Sequence, residues 1–131
     1  MKNALFISLL FVSLIICCAN PKKMMNNNSI ERIYFGKYGG FTNIPMEYVL
    51  FEKGQLYKME NESLLKTCKI SRKQINAIDG LLQELDFQNL EINEPGNITY
   101  HIKVVNANYE KEVKWTDTSD NQKLKELYKT L

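Results

Sequence analysis

The chain has 131 residues, 44% hydrophobic and 24% charged, which is ordinary globular material for one domain and too little for two. With seven Tyr, six Phe and one Trp, a domain of about 100 residues can bury enough surface to fold without disulfides. The net charge of +2 includes Lys2, and acids and bases are interspersed along the rest, so the chain lacks the clustered positive field that nucleic acid or an anionic membrane requires.

Residues 1–20 come in three parts. Met1-Lys2-Asn3 supplies a positive charge, residues 4–16 are apolar except for Ser8 and Ser13, and Cys17-Cys18-Ala19 follows, which is the order of a secretory signal. As helix, the apolar run spans only ~20 Å at ~1.5 Å per residue, short of a ~30 Å hydrocarbon core, so it targets the chain and does not anchor it. Leu14-Ile15-Ile16-Cys17-Cys18 resembles a bacterial lipoprotein signal, in which a small residue precedes the cysteine that becomes the lipidated N-terminus. Cys18 after Cys17 fits that pattern better than Cys17 after Ile16, so residues 1–17 are the expected signal peptide and Cys18 the expected lipidation site. The resemblance implies a diacylglycerol on the thiol and an acyl chain on the new amine. Two or more chains hold a protein stably on its membrane. The rival reading is an ordinary secretory signal, or an uncleaved anchor, with incidental cysteines. Residues 18–29 then comprise the lipidated cysteine and a polar, Asn-rich, flexible tether. No acidic cluster follows the cysteine, whereas such a cluster resembles the surface-export signal of some Bacteroidota lipoproteins. The expected address is a lipid anchor in the bacterial cell envelope, facing the periplasm.

Residues 30–131 read as a single α+β domain. Residues 30–35 are β-rich, and Gly36-Lys37-Tyr38-Gly39-Gly40 follows. A phosphate loop would need a helix after these glycines, and the sequel reads as strand, so a connecting turn is expected. Tyr38, Gly39, Gly40 and Phe41 are the candidate binding residues, because a turn on a rigid scaffold often carries recognition. The alternative is that both aromatics fold back onto the core. Residues 48–51 form the next strand, Glu52-Lys53-Gly54-Gln55 turns it into residues 56–59, and Leu64, Cys68 and Ile70 alternate in a weaker fourth strand.

Ser71-Arg72-Lys73-Gln74 is a capping box, and Ile75, Ile78, Leu82 and Leu85 recur behind it at helical spacing. Gly80 inside this helix suggests close approach of another backbone. Ile98, Tyr100, Ile102 and Val104 alternate with Thr99, His101 and Lys103, and Tyr109, Val113 and Trp115 alternate with Glu110, Glu112 and Lys114. This is a hairpin with one buried face. Ser119-Asp120-Asn121-Gln122 reads as a second capping box, opening a helix with Leu124, Leu127, Tyr128 and Leu131 on one stripe. The order is β-β-β-(β)-α-β-β-α, expected as an antiparallel meander of about four to six strands with two helices packed on one face.

Chemistry is sparse. Cys68 and His101 are the one pair that could serve as nucleophile and base, but they sit on opposite faces by alternation, and Cys68 reads as a small buried hydrophobe. One His and one cysteine beyond the signal give too few soft ligands for zinc, so no metal and no cofactor is expected. A serine triad around Ser63, Ser71 or Ser119 would need the same His101. Glu84, Asp86, Glu91 and Glu94 flank a helix end and a loop, where solvated carboxylates are ordinary. Sequons at Asn27, Asn61 and Asn97 fit an Asn-rich composition.

Several phrases resemble a family of small uncharacterised lipoproteins of Bacteroidota. They are Phe35-Gly36-Lys37-Tyr38-Gly39-Gly40-Phe41-Thr42, then Tyr48, Lys53-Gly54-Gln55-Leu56-Tyr57 and Glu94-Pro95-Gly96-Asn97-Ile98-Thr99-Tyr100. Val113-Lys114-Trp115 and Leu124-Lys125-Glu126-Leu127-Tyr128 complete the set. Members carry Gly where this chain has Asn43 and Thr116, and Asn tolerates the left-handed backbone a turn there would need. The resemblance implies a fold and an address, and no activity.

Together these readings predict a non-enzymatic binding domain on a membrane lipid anchor, with a protein partner and no nucleic acid. Two rivals stand beside it. One is an inhibitor that plugs an envelope protease or lytic enzyme with the 36–43 turn, which requires Tyr38 and Phe41 in solvent. The other is a small thiol enzyme, which requires Cys68 in a cleft near a base.

Overall fold

The computed structural model describes residues 31–131. The signal, the lipidation site Cys18 and the tether fall within residues 1–30, outside the described residues. Six strands and two helices follow in the expected order: β1 Arg32–Gly39, β2 Met46–Phe51, β3 Gln55–Glu60, β4 Ser63–Lys69, α1 Arg72–Glu84, β5 Ile98–Val105, β6 Glu110–Thr116 and α2 Gln122–Thr130. A short 3-10 turn, Phe87–Asn89, lies between α1 and β5.

All the strands join one antiparallel sheet in the order β4-β3-β2-β1-β5-β6. The fold is α+β as the residue pattern predicts, with one refinement. The first four strands are a meander, and the chain then crosses back so that β5 pairs with β1 and the β5–β6 hairpin completes the other side. That places β1 at the centre, flanked by β2 and β5 along its length. Beyond β6 the edge is partly closed, because the Lys114 carbonyl accepts from Glu94 N–H at 2.9 Å and Lys114 N–H donates to the Ile92 carbonyl at 3.0 Å.

Alternation sorts the sheet into two faces. Ile33, Phe35, Leu50, Leu56, Ile102, Val104, Val113 and Trp115 share the main core with Ile78 and Leu82 of α1 and Leu124 and Leu127 of α2. Both helices therefore cover the same face, which is what their single apolar stripes demand. The opposite face carries a smaller cluster of Val49, Phe51 and Tyr57, with Tyr34, Met59 and Leu64 against it.

The helix starts show where local chemistry decides. Ser71 caps α1 with both halves of the capping box in place: Ser71 Oγ accepts from Gln74 N–H at 3.2 Å, and Gln74 Oε1 accepts from Ser71 N–H at 3.2 Å. In α2 the cap is Asn121, two residues later than the Ser119 box predicts. Asn121 Oδ1 accepts from Leu124 N–H at 2.9 Å, while Ser119 N–H is used to close a turn onto the Thr116 carbonyl at 3.1 Å. An Asn caps as well as a Ser, so the hydroxyl had a near-equal competitor.

Gly80 also differs from expectation. A Cβ built there meets nothing within 4 Å, so no backbone approaches it. Gly80→Ala should therefore stabilise the domain by about 0.5–1 kcal/mol through helix propensity and a less disordered unfolded chain, read as a rise in the urea midpoint at unchanged slope.

Candidate binding loop at the far end of the sheet

β1 ends at Gly39, and Gly40 follows it in the turn that leads the chain outward. Gly39 has φ +94° and Gly40 φ +75°, and Asn43 follows at φ 46°, so the loop to β2 passes through three left-handed positions. Asn43 takes this backbone because Asn tolerates the left-handed region better than most side chains. Gly40 N–H donates to the Asn97 carbonyl at 2.8 Å, and a Cβ on Gly39 would overlap that same oxygen. The support is itself braced. Thr99 Oγ1, on a buried residue, accepts from Gly96 N–H and donates to the Gly96 carbonyl, each at 3.1 Å.

On this pinned base the side chains project into water. Phe41 is 107% exposed, Ile44 68%, Met46 41% and Tyr38 36%. No charged residue occurs between Lys37 and Glu47. Beside the protruding Phe41 lies a hollow of about 450 Å³ lined by Tyr38, Gly40, Ile44, Met46 and Ile98. Leaving a Phe side chain in water forgoes about 1.5–3 kcal/mol of burial, so folding gains little from Phe41, and the exposed apolar side chains around it make this loop the candidate contact surface. The structure brings together all four residues singled out in the sequence. Ile44, Met46 and Ile98 were missed, although the uncharged run from Tyr38 to Met46 was a legible signal for the first two.

The enzyme candidates separate. Cys68 lies on β4 and His101 on β5, four strands apart in the sheet, which at ~4.8 Å per strand puts their backbones ~19 Å apart. Cys68 is exposed, contrary to its reading as a buried hydrophobe. It sits on the edge strand β4, whose residues are all exposed except the half-buried Leu64 and whose register with β3 shifts between Leu56 and Tyr57. His101 is 8% exposed, and its Nδ1 lies 3.7 Å from Glu112 Oε1. Burial pushes its pKa below the ordinary imidazole value, against the pull of the Glu47 and Glu112 carboxylates and with the help of Lys114. Tyr128, half-buried beside Tyr100 and Tyr48, has its phenol pushed up to about 12 and stays neutral. Among the four acids of the 84–94 stretch, Glu84 pairs with Lys123 at 3.1 Å and Asp86 accepts from Asn89 at 3.0 Å. Among the described residues no group of three His, Cys, Asp or Glu side chains is placed to hold a metal ion.

The His101 shift has a consequence for pH. A group that is harder to protonate in the folded state gives stability that is complete above its unfolded value of 6.5 and is lost as the pH falls through 6.5 toward the lower folded value. Urea unfolding between pH 7.5 and 5.5 should show this loss in the parent chain and a flatter profile in His101→Gln.

No described helix is long and apolar enough to cross a membrane. No protein-family model and no curated protein matches the chain.

Proposed function

We propose that this chain is a lipid-anchored protein of the bacterial envelope, akin to the small Bacteroidota lipoproteins it resembles, whose domain is a non-enzymatic binding module. The loop from Tyr38 to Met46 is its contact surface, and its partner is a protein. One observation carries the reading: Phe41 stands wholly in solvent on a backbone held by the Asn97 carbonyl. A loop already fixed in shape avoids the ordering cost of about 0.5–1.5 kcal/mol per side chain that a mobile one incurs on binding. Aromatic anchors of this kind dominate binding energy where a partner offers a pocket.

Direction supports a protein over the anchoring membrane. The chain joins the sheet at Arg32 and reaches the loop at the other end of β1, eight residues and ~26 Å away at ~3.3 Å per residue. An anchor at Cys18 holds the Arg32 end, which leaves Phe41 pointing outward. The same projection favours the inhibitor as the second reading, with Phe41 entering the cleft of an envelope protease or lytic enzyme.

A photoreactive phenylalanine analogue at position 41, compared with one at the exposed Lys66 on β4, tests the surface in living cells. A discrete protein adduct at 41 and none at 66 is expected, and a hydrolase in that adduct selects the inhibitor reading. Equal labelling at both positions, or lipid adducts alone at 41, overturns the proposal. The address is tested by fatty-acid labelling of the parent and of the Cys17→Ser/Cys18→Ser chain. Acylation that persists without both thiols ends the lipoprotein reading.

A further inference from the structure

The end of the sheet opposite the loop carries a groove of about 470 Å³ between α1 and the strand ends of β1 and β2. Ile33, Leu50, Ile78 and Leu82 form its floor. Its rim holds three acids, Glu31, Glu52 and Asp79, against one cation, Arg72. None of those acids makes an ion pair with a described residue, since the five that occur engage Glu60, Glu112 twice, Glu110 and Glu84. The carboxyl of Glu31 is pushed above its ordinary value by burial first and then by Asp79 and Glu52, so the rim is short of positive charge. An apolar floor under an acidic rim fits a segment that is both basic and apolar.

The chain contains such a segment, a few positions before a rim residue in sequence: Lys22-Lys23-Met24-Met25 precedes Glu31. Lys23 and Glu31 are eight Cα–Cα steps apart in the chain, a length with a random-chain root-mean-square span of ~16 Å and a full reach of ~27 Å, so the two lysines are confined to the groove's neighbourhood at millimolar effective concentration. Methionine, unbranched and polarisable, fills irregular apolar gaps.

We propose that residues 22–25 of this chain dock into the groove, with the Lys22 and Lys23 ammonium groups against Glu52 and Asp79 and the two methionines toward the floor. The docked segment shortens the tether. If Cys18 carries the anchor, the three residues between it and Lys22 span at most ~14 Å from cysteine to lysine, against ~45 Å for the free length to Glu31. That holds the acidic end of the domain at the membrane and turns the Phe41 loop outward. The docking itself depends on neither acylation nor the loop's partner, because residues 22–25 belong to the chain with or without its signal.

A zero-length carbodiimide, which joins an amine to a carboxylate in contact, tests this on the full chain in detergent. A mixture of heavy-isotope-labelled and unlabelled protein distinguishes bonds within a chain from bonds between copies. Peptide mass spectrometry should find Lys22 or Lys23 joined to Glu52 or Asp79 within one chain. Trypsin cleavage after Lys22 and Lys23 should be about fivefold slower than in Glu52→Gln/Asp79→Gln, at equal thermal midpoint, and the difference should vanish in ~1 M salt, where screening acts over ~3 Å. Joins only between differently labelled copies would mean that a second molecule fills the groove, and would overturn the proposal. So would the absence of these joins, or equal cleavage rates in two folded proteins.

Discussion

Replacing Trp115 with Ala is expected to cost the domain about 4 kcal/mol and to lower its thermal midpoint by roughly 20 °C. Trp115 is buried on the helix-bearing face of β6, where its ring stacks on Tyr100 at 5.8 Å and 20° and meets Tyr128 of α2 edge-on at 5.6 Å and 82°. Tyr128 also stands edge-on to Tyr100 at 5.2 Å and to Phe35 at 6.2 Å, so one helical side chain is seated in a box of rings from three adjacent strands. Each such ring pair adds about 0.5–1.5 kcal/mol beyond its buried area. The indole is the largest wall of the box, and α2 has nine residues, too few to persist as helix without packing. Loss should therefore concentrate there. Amide exchange at Leu124, Leu127 and Leu131 should accelerate more than at Ile33 or Ile102 in the central strands, and Trp115→Phe should recover more than half of the stability. Uniform acceleration across the sheet and both helices would show that the ring box does not hold α2 individually.

What could be read from residues alone follows the range over which each feature is decided. The α1 cap was legible because Ser71 and Gln74 satisfy each other within three residues. The pairing of β5 with β1 was not, because local alternation in residues 98–105 is satisfied by any neighbour that buries Ile102 and Val104. Only the three-dimensional fit puts Ile102 opposite Phe35 and Val104 opposite Ile33. The α2 start slipped by two residues since Ser119 and Asn121 are both good caps, and Ser119 is taken up in a local turn onto the Thr116 carbonyl while Asn121 caps the helix. Cys68 was misjudged because alternation shows which face a side chain shares and not whether anything covers that face at the sheet's edge. At the candidate site the glycines announced a turn. Whether Phe41 would fold inward or stand out depended on the Asn97 carbonyl, contributed from more than fifty residues away.

That dependence makes Gly39 the most sensitive position of the candidate loop, and Gly39→Ala should cost about 3 kcal/mol. A side chain at φ +94° is strained in itself, by about 1–2 kcal/mol. The new Cβ would also overlap the Asn97 carbonyl, which is backbone and cannot swing away as a flexible side chain would, so the β1 end must separate from β5. Separation breaks the Gly40 N–H to Asn97 bond and turns Phe41 from a fixed anchor into a mobile one. Gly40→Ala should be milder, near 1 kcal/mol, since its Cβ meets only Ile98 at ordinary contact distance and the strain at φ +75° stands alone. Phe41→Ser is the converse. An exposed side chain contributes little to folding, so stability should stay within about 0.5 kcal/mol of the parent. A competition assay, in which the purified chain displaces the adduct formed at position 41, should nonetheless need on the order of 30-fold more of the Phe41→Ser chain, the loss of about 2 kcal/mol expected for a central aromatic anchor. If Phe41→Ser competes as well as the parent while Gly39→Ala does not, the partner reads the loop's backbone or its neighbouring hollow, and the aromatic tip is not the anchor.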